Sequence, residues 1–252
     1  MKQENIKKLC EAFANLNIEM TDVKLQQLQL YMEGVLAWNE HVNLTAITEE
    51  DDFVQKHFID SLLCANAPEF TQARTVLDMG TGGGFPGIPL AIAFPDKQFV
   101  LADSLNKRIR IIDELSAKAG ILNVTPVHGR AEELARKAEY REQFDLCVSR
   151  AVANMSTLSE YCLPYVKVGG WCIAYKGPDC EAEVAQAAKA IQRLGGGKAE
   201  IRNADFGSVI TASGTEGTPL PFQHKLVYIK KISSTPKTYP RKAGTPGKDP
   251  IK

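Results

Sequence analysis

The chain has 252 residues, with 30 Lys+Arg against 30 Asp+Glu, 44% hydrophobic residues and 24% charged. Those fractions belong to folded globular proteins and exclude collagen, a coiled-coil rod and wholesale disorder. No apolar run reaches the roughly 18 residues of a bilayer-spanning helix. The opening Met1-Lys2-Gln3-Glu4-Asn5-Ile6-Lys7-Lys8 is too charged for a signal peptide. A cytoplasmic protein without membrane association is expected.

Residues 1–70 carry helical patterns and read as an N-terminal helical cap. Leu25, Leu28, Tyr31, Met32 and Val35 recur at i, i+3, i+4 behind Thr21, which predicts an amphipathic helix to about residue 39 with Thr21 as its N-cap. Thr48 with Asp51 resembles a capping box, and Phe53, Val54, His57, Phe58, Ser61 and Leu62 outline a second helix.

At Thr75 the pattern changes to strands alternating with helices. Strands are expected at 76–77, 99–103, 124–127, 144–148, 171–175 and 226–232, and helices at 88–94, 106–119, 131–140, 154–161 and 181–194. Such βαβ units predict an α/β fold: a doubly wound, mostly parallel sheet covered on both faces, here spanning residues 71–233. Residues 205–224 are too rich in Gly, Thr and Ser to assign, and the Pro/Gly/Lys-rich segment 234–252 reads as an irregular tail.

The zero net charge is uneven. Residues 225–252 hold eight bases and one acid, Asp249. A basic end on an acidic body suits a polyanion such as nucleic acid, and equally suits a solvated tail. Cys10, Cys64, Cys147, Cys162, Cys172 and Cys180 form no ligand pattern, so reduced, buried thiols and no metal are expected.

The first strand runs into Asp78-Met79-Gly80-Thr81-Gly82-Gly83-Gly84-Phe85-Pro86-Gly87. Ligands of doubly wound sheets bind at such a strand end. Gly82-x-Gly84-x-x-Gly87 with Asp103 formally satisfies the dinucleotide fingerprint of an oxidoreductase. Three features favour S-adenosylmethionine instead. Asp78 stands where its carboxylate can face an ammonium and would repel a diphosphate. Phe85-Pro86 fills the turn where a pyrophosphate wants free N–H groups. Asp103, ending the second strand, can accept both ribose hydroxyls.

The glycine run through Ile88-Pro89-Leu90 resembles the signature of the glucose-inhibited division protein B family, the small-subunit ribosomal RNA guanine-N7 methyltransferases. Further matching runs are Trp38-Asn39…Asn43-Leu44-Thr45, Lys56-His57-Phe58-Ile59-Asp60-Ser61-Leu62, Asp103-Ser104-Leu105-Asn106-Lys107-Arg108, Arg130-Ala131-Glu132, Ser149-Arg150-Ala151-Val152-Ala153 and Tyr239-Pro240-Arg241-Lys242-Ala243-Gly244-Thr245-Pro246. The likeness covers about residues 25–251. It implies the class I methyltransferase fold, S-adenosylmethionine as cofactor, and 7-methylguanine in small-subunit (16S) rRNA as product. Family cofactor contacts carry over to Gly80, Phe85, Asp103, Ala131, Glu132 and Arg150; Gly83 stands where many members have Ala.

With the resemblance, the site set is Asp78, Gly80, Gly82, Gly84, Phe85, Asp103, Ser104, Ala131, Glu132 and Arg150 around the cofactor. Arg150 is the candidate catalytic residue, gripping guanine O6 or a phosphate, or else bound to a core acid such as Asp78. Lys176, Tyr239, Arg241 and Lys242 are the candidate RNA contacts. His57 and Asp60, at i, i+3, read as a hydrogen-bonded pair bracing the cap. The expected partner is small-subunit rRNA or the 30S particle, and the protein is expected to be a monomer. Two other readings stay open: a non-catalytic, S-adenosylmethionine-sensing assembly factor, and a methyltransferase of protein or metabolite.

Overall fold

A computed structural model describes residues 1–204 and 224–252. The segment left unassigned from the sequence falls outside these residues, apart from His224. Among the described residues seven strands form one sheet: β1 (Thr75–Met79), β2 (Gln98–Asp103), β3 (Val124–His128), β4 (Phe144–Arg150), β5 (Val166–Lys176), β6 (Glu200–Asn203) and β7 (Lys225–Lys230). Their order is β3-β2-β1-β4-β5-β7-β6. β1 to β5 run parallel, while β7 lies antiparallel to β5 and β6. The chain thus leaves β1 outward through β2 and β3, then returns to place β4 on the other side of β1. The carboxyl ends of β1 and β4 define the switch point, the ligand position of this architecture.

Strand residues alternate between two cores, as the period of a strand dictates. Val76, Leu146, Val148 and Ile173 face one; Leu77, Cys147, Cys172 and Ala174 face the other. The first core is covered by α1 (Gln3–Asn15), α2 (Asp22–Asn39), α3 (Glu50–Phe53), a π-helical turn (Val54–Ile59), α4 (Asp60–Leu62), α5 (Pro68–Thr71), α6 (Gly87–Ala93) and α7 (Asn106–Ala119). Residues 1–70 therefore share one hydrophobic core with the sheet, through Phe13, Tyr31, Phe53 and Phe58. The second is covered by α8 (Ala131–Leu134), α9 (Met155–Cys162), α10 (Glu181–Gln186), α11 (Ala188–Arg193) and the chain end, which carries α12 (Thr245–Lys248).

Local signals explain several boundaries. Thr21 Oγ1 accepts from Lys24 N at 3.3 Å, so it caps α2 as expected. Asn154 likewise caps α9 through Thr157 N, and Gly120 ends α7 at φ +68°. The capping box at Thr48 does not form. α3 begins at Glu50, and Asp51 is claimed instead by Lys2 Nζ and Asn5 Nδ2 of α1. The helix expected over 131–140 stops at Leu134, beyond which Arg136 and Arg141 turn their guanidiniums to carbonyls of the chain end. The helix expected over 181–194 is interrupted at Ala187, where ψ relaxes to −6°. β6 had no apolar signature; it is an edge strand whose Arg202 pairs with Glu69 and Glu200. Five cysteines are buried and Cys10 is exposed; all are free.

The segment after Ser233 is not a loose tail. It folds back over α8 and α9, where Arg241 donates through N and Nε to Glu160 Oε1 (2.7 and 3.1 Å) and through NH2 to Oε2 at 2.8 Å. Thr157 Oγ1 donates to Pro246 O, and Ile251 is buried. Glu160 is fully buried while Arg241 reaches solvent, so removing Arg241 strands a desolvated carboxylate, which costs about 3–5 kcal/mol. Arg241→Ala is expected to lower the denaturation midpoint accordingly and to open residues 234–252 to trypsin. An unchanged midpoint with unchanged cleavage would show that the pair does not hold the strap.

Candidate functional site

A cavity of about 280 Å³ opens at the switch point, lined by Met79, Gly80, Asp103, Ser104, Leu105, Arg108, Gly129, Arg130, Ala131, Glu132, Ala151, Val152 and Tyr161. A further depression, of about 330 Å³, is lined by residues of α2. Gly80 brings the glycine loop to the cavity floor, and Gly80, Gly82 and Gly84 adopt φ of +74°, +60° and +94°. Only glycine takes such angles without strain. A Cβ on Gly82 would meet nothing closer than a loop carbonyl at 4.0 Å, so bare backbone faces open space there; on Gly84 it would strike Tyr31 Oη at 2.2 Å.

The loop commits most of its N–H groups to acceptors on itself and on the neighbouring strands. Gly80 N and Thr81 N donate to Ala102 O, and Gly84 N and Phe85 N to Thr81 O. Gly82 N donates to Asp103 Oδ2 at 3.0 Å, and Gly87 N to Asp78 Oδ2 at 2.8 Å. Pro86 has no N–H to offer. A pyrophosphate would find few free donors on the loop, and it would meet the Asp103 carboxylate. The floor suits a ligand with hydroxyls and positive charge.

Asp103, 6% exposed, accepts from Gly82 N and from Leu105 N at 2.8 Å, with Arg108 3.6 Å away. Its carboxylate stands at the end of β2 on the cavity wall, where ribose recognition was expected. Asp78 departs from expectation. Lying on the same strand face as Val76, it points beneath the loop, fully buried, and accepts from Thr81 Oγ1 (2.6 Å) and Gly87 N. It does not line the cavity. Burial pushes it up to about 6, and its Oδ1 has no hydrogen-bond partner.

Arg150 ends β4, and it is tied to the helical region rather than to Asp78. NH1 bonds Asp60 Oδ2 and, at 2.9 Å, Lys56 O within the π-helical turn. NH2 meets His57 Nδ1 at 3.1 Å. His57 and Asp60 thus share Arg150 instead of bonding each other. The His57 ring lies flat on Phe85, centroids 4.2 Å apart and planes 6° apart, among Tyr31, Phe53 and Phe58. Phe85 therefore joins the loop to the cap and does not line the cavity. Directly after Arg150, Ala151 takes φ +57° and turns the chain into the cavity wall.

This chain matches the family model described as rRNA small subunit methyltransferase G (GidB) over residues 24–206. The chain belongs to that family. Within the GidB family, it is 49% identical over 240 residues to the ribosomal RNA small subunit methyltransferase G of Clostridium novyi, covering 95% of this chain and 94% of that protein. It is 48% identical to the same-named protein of Clostridium perfringens, covering 98% of each. Among solved structures, an O-methyltransferase from Bacillus cereus in complex with SAH superposes with TM-score 0.53 at 18% identity, over 80% of this chain and 90% of that one. An O-methyltransferase from Streptomyces achromogenes solved with SAM gives 0.51 at 17% identity, over 92% and 100%. At those identities the likeness shows the fold: a class I methyltransferase sheet.

Of the residues singled out from the family pattern, Gly80, Asp103, Ser104, Ala131 and Glu132 line the cavity; Asp78, Gly82, Gly84, Phe85 and Arg150 stand behind it. Glu132 is 3% exposed, and its Oε1 accepts from Gly244 N at 2.7 Å, so this carboxylate anchors the chain end. Lys176 is held by Ala153 O (2.8 Å) and Glu183 (2.7 Å), Arg241 by Glu160, and Tyr239 packs on the second core. Only Lys242 of the expected RNA contacts is fully exposed. Leu105, Arg130, Val152 and Tyr161 were not singled out. The first three sit inside the matching runs, where their neighbours drew attention; Tyr161 gave no signal. Among the described residues no group of three or more His, Cys, Asp or Glu could hold a metal ion, and no helix is long and apolar enough to cross a membrane.

Asp78 sets a pH dependence. Its folded value of about 6 lies above the usual 3.9 of an unfolded Asp, so the folded state holds the extra proton. Its contribution is full below about pH 4 and lost as pH rises through about 6. Against Asp78→Asn, the wild-type protein should lose stability across that interval, by chemical denaturation at fixed pH steps. A pH-independent difference would remove the buried, raised carboxyl.

Proposed function

We infer that the protein transfers the methyl group of S-adenosylmethionine to N7 of a guanine in small-subunit rRNA. The observation that carries the cofactor is the loop: the N–H groups of Gly80, Thr81, Gly82, Gly84, Phe85 and Gly87 are spent on Ala102 O of β2, on Thr81 O and on Asp103 and Asp78. Such a floor disfavours a dinucleotide diphosphate and favours a cationic nucleoside. Family membership and the names of the relatives support rRNA as substrate. The neighbours solved with SAM and SAH support the cofactor.

The cavity residues fit that group. Asp103 offers a fixed carboxylate for the ribose hydroxyls, Gly80 with Val152 walls the side left for the amino-acid portion, and Leu105 with the Ala131 backbone borders the base. Bound S-adenosylmethionine supplies an electrophilic methyl group on a sulfonium. Guanine N7 carries its lone pair at neutral pH and loses no proton when alkylated, so no general base is required. The work of the chain is to hold the guanine against the methyl group and to exclude water. Arg150 acts behind the site, fixing the β4 end and the Ala151–Val152 wall against the π-helical turn. Arg130 and Lys242, both exposed, favour a contact with the RNA backbone.

Incubation with tritiated S-adenosylmethionine and 30S particles, naked rRNA or no RNA tests the reading. Label should enter small-subunit rRNA as 7-methylguanosine. Asp103→Ala should weaken cofactor binding about tenfold or more, the worth of one charge-assisted hydrogen bond. Label confined to protein, or none, would contradict the assignment.

A further inference from the structure

Arg150 imposes a fixed arrangement of protons on a residue that the proposed chemistry leaves unused. A guanidinium only donates. Its NH2 contact with His57 Nδ1, at 3.1 Å, therefore requires that nitrogen to be bare. A neutral imidazole then carries its hydrogen on Nε2. Burial, reinforced by the Arg150 charge, holds His57 down to about 3, well below neutral pH. Nε2–H lies 2.6 Å from Thr45 Oγ1 and donates to it, and Ile47 N donates to the same oxygen at 3.0 Å. A hydroxyl has two lone pairs and one hydrogen. Both acceptor positions of Thr45 are filled, and its hydroxyl can now only donate. No described residue accepts that hydrogen.

Thr45, half-buried, sits where the helical region meets the glycine loop, and hydrogen bonds link it through His57 to Arg150 at the end of β4. Asn39 Oδ1, at the end of α2, accepts from Leu44 N (2.8 Å) and Thr45 N (3.0 Å), which fixes the turn. The Leu44 carbonyl lies over the glycine loop, 3.4 Å from where a Cβ of Gly83 would be. His57, its donor, stacks on Phe85, and Arg150, the donor to His57, leads directly into the Ala151–Val152 wall.

We propose that the Thr45 hydroxyl is a specificity-determining donor that reads O6 of the target guanine, with Arg150 and His57 as positioning residues that forbid it to accept. The proposal rests on the guanine-N7 reading above. Guanine presents two neighbouring acceptors, N7 and O6, whereas adenine presents N7 beside an N6–H₂ donor. A hydroxyl with only a hydrogen to give pairs with O6 and opposes N6–H₂, so base choice becomes a donor–acceptor match beside the methylated atom.

The test compares wild type, Thr45→Ser and Thr45→Val on whichever RNA substrate the wild type methylates. Thr45→Ser keeps the hydroxyl and should stay within about threefold in kcat/KM for RNA, while Thr45→Val should fall about tenfold or more, the discrimination one base-edge contact supplies. Affinity for S-adenosylmethionine by calorimetry should change less than about twofold for both. A fragment carrying 2-aminopurine at the mapped target, which retains N7 and lacks O6, should erase the difference between wild type and Thr45→Val. Nitrogen-15 spectra of wild type at neutral pH should show His57 neutral with its hydrogen on Nε2. Wild-type RNA kinetics in Thr45→Val, a loss matched by lost cofactor binding, an unchanged gap on 2-aminopurine, or a hydrogen on Nδ1 would each overturn the proposal. A wild type that methylates no RNA would overturn the parent reading instead, and His57 would still report on the relay.

Discussion

Two carboxylates occupy the places an anionic ligand would need. Asp78 takes the N–H that opens α6 and Asp103 takes the N–H of Gly82, each from the end of a neighbouring parallel strand. This lets a glycine-rich turn hold its shape without a bound phosphate, and it sets the Asp103 carboxylate on the cavity wall where an anion would have to sit. The cis Phe85-Pro86 peptide and the loop's own carbonyl bonds complete the arrangement. The selection of ligand class follows from that one distribution of donors and acceptors.

The helical N-terminal region is the second layer of the same device. Tyr31 Oη donates to Gly83 O at 2.9 Å, His57 stacks on Phe85, and Arg150 bonds Lys56 and Asp60. Asp60 also accepts from His224, at 2.5 Å, beside the sheet's second half. The cap, the loop and the end of β4 thus form one connected unit. A change in any of them reaches the wall of the cavity through groups that are buried and hydrogen-bonded, where displacement is costly.

Much of this was legible in the sequence for a physical reason. Alternating strands and helices, the three glycines and the acid closing the second strand are local patterns, and local patterns fix the sheet and its switch point. The side-chain pairings were not legible, because they join distant residues. Arg150 finds Asp60 ninety positions away, and Arg241 finds Glu160 eighty-one away. Charge counting along the end of the chain saw eight bases but could not see that Lys225, Lys231 and Arg241 are matched by Glu181, Glu142 and Glu160. Asp78 was misplaced for a subtler reason: its position ahead of the first glycine does not reveal that strand alternation turns it under the loop with Val76 and away from the cavity.

The claim on which the account stands is that the switch-point cavity accepts a sulfonium nucleoside and rejects a diphosphate. Titration calorimetry of the wild-type protein with S-adenosylmethionine and, separately, with NADH measures this directly. The account predicts saturable one-to-one heat with the first and none with the second; tight NADH binding without uptake of the sulfonium compound would contradict it.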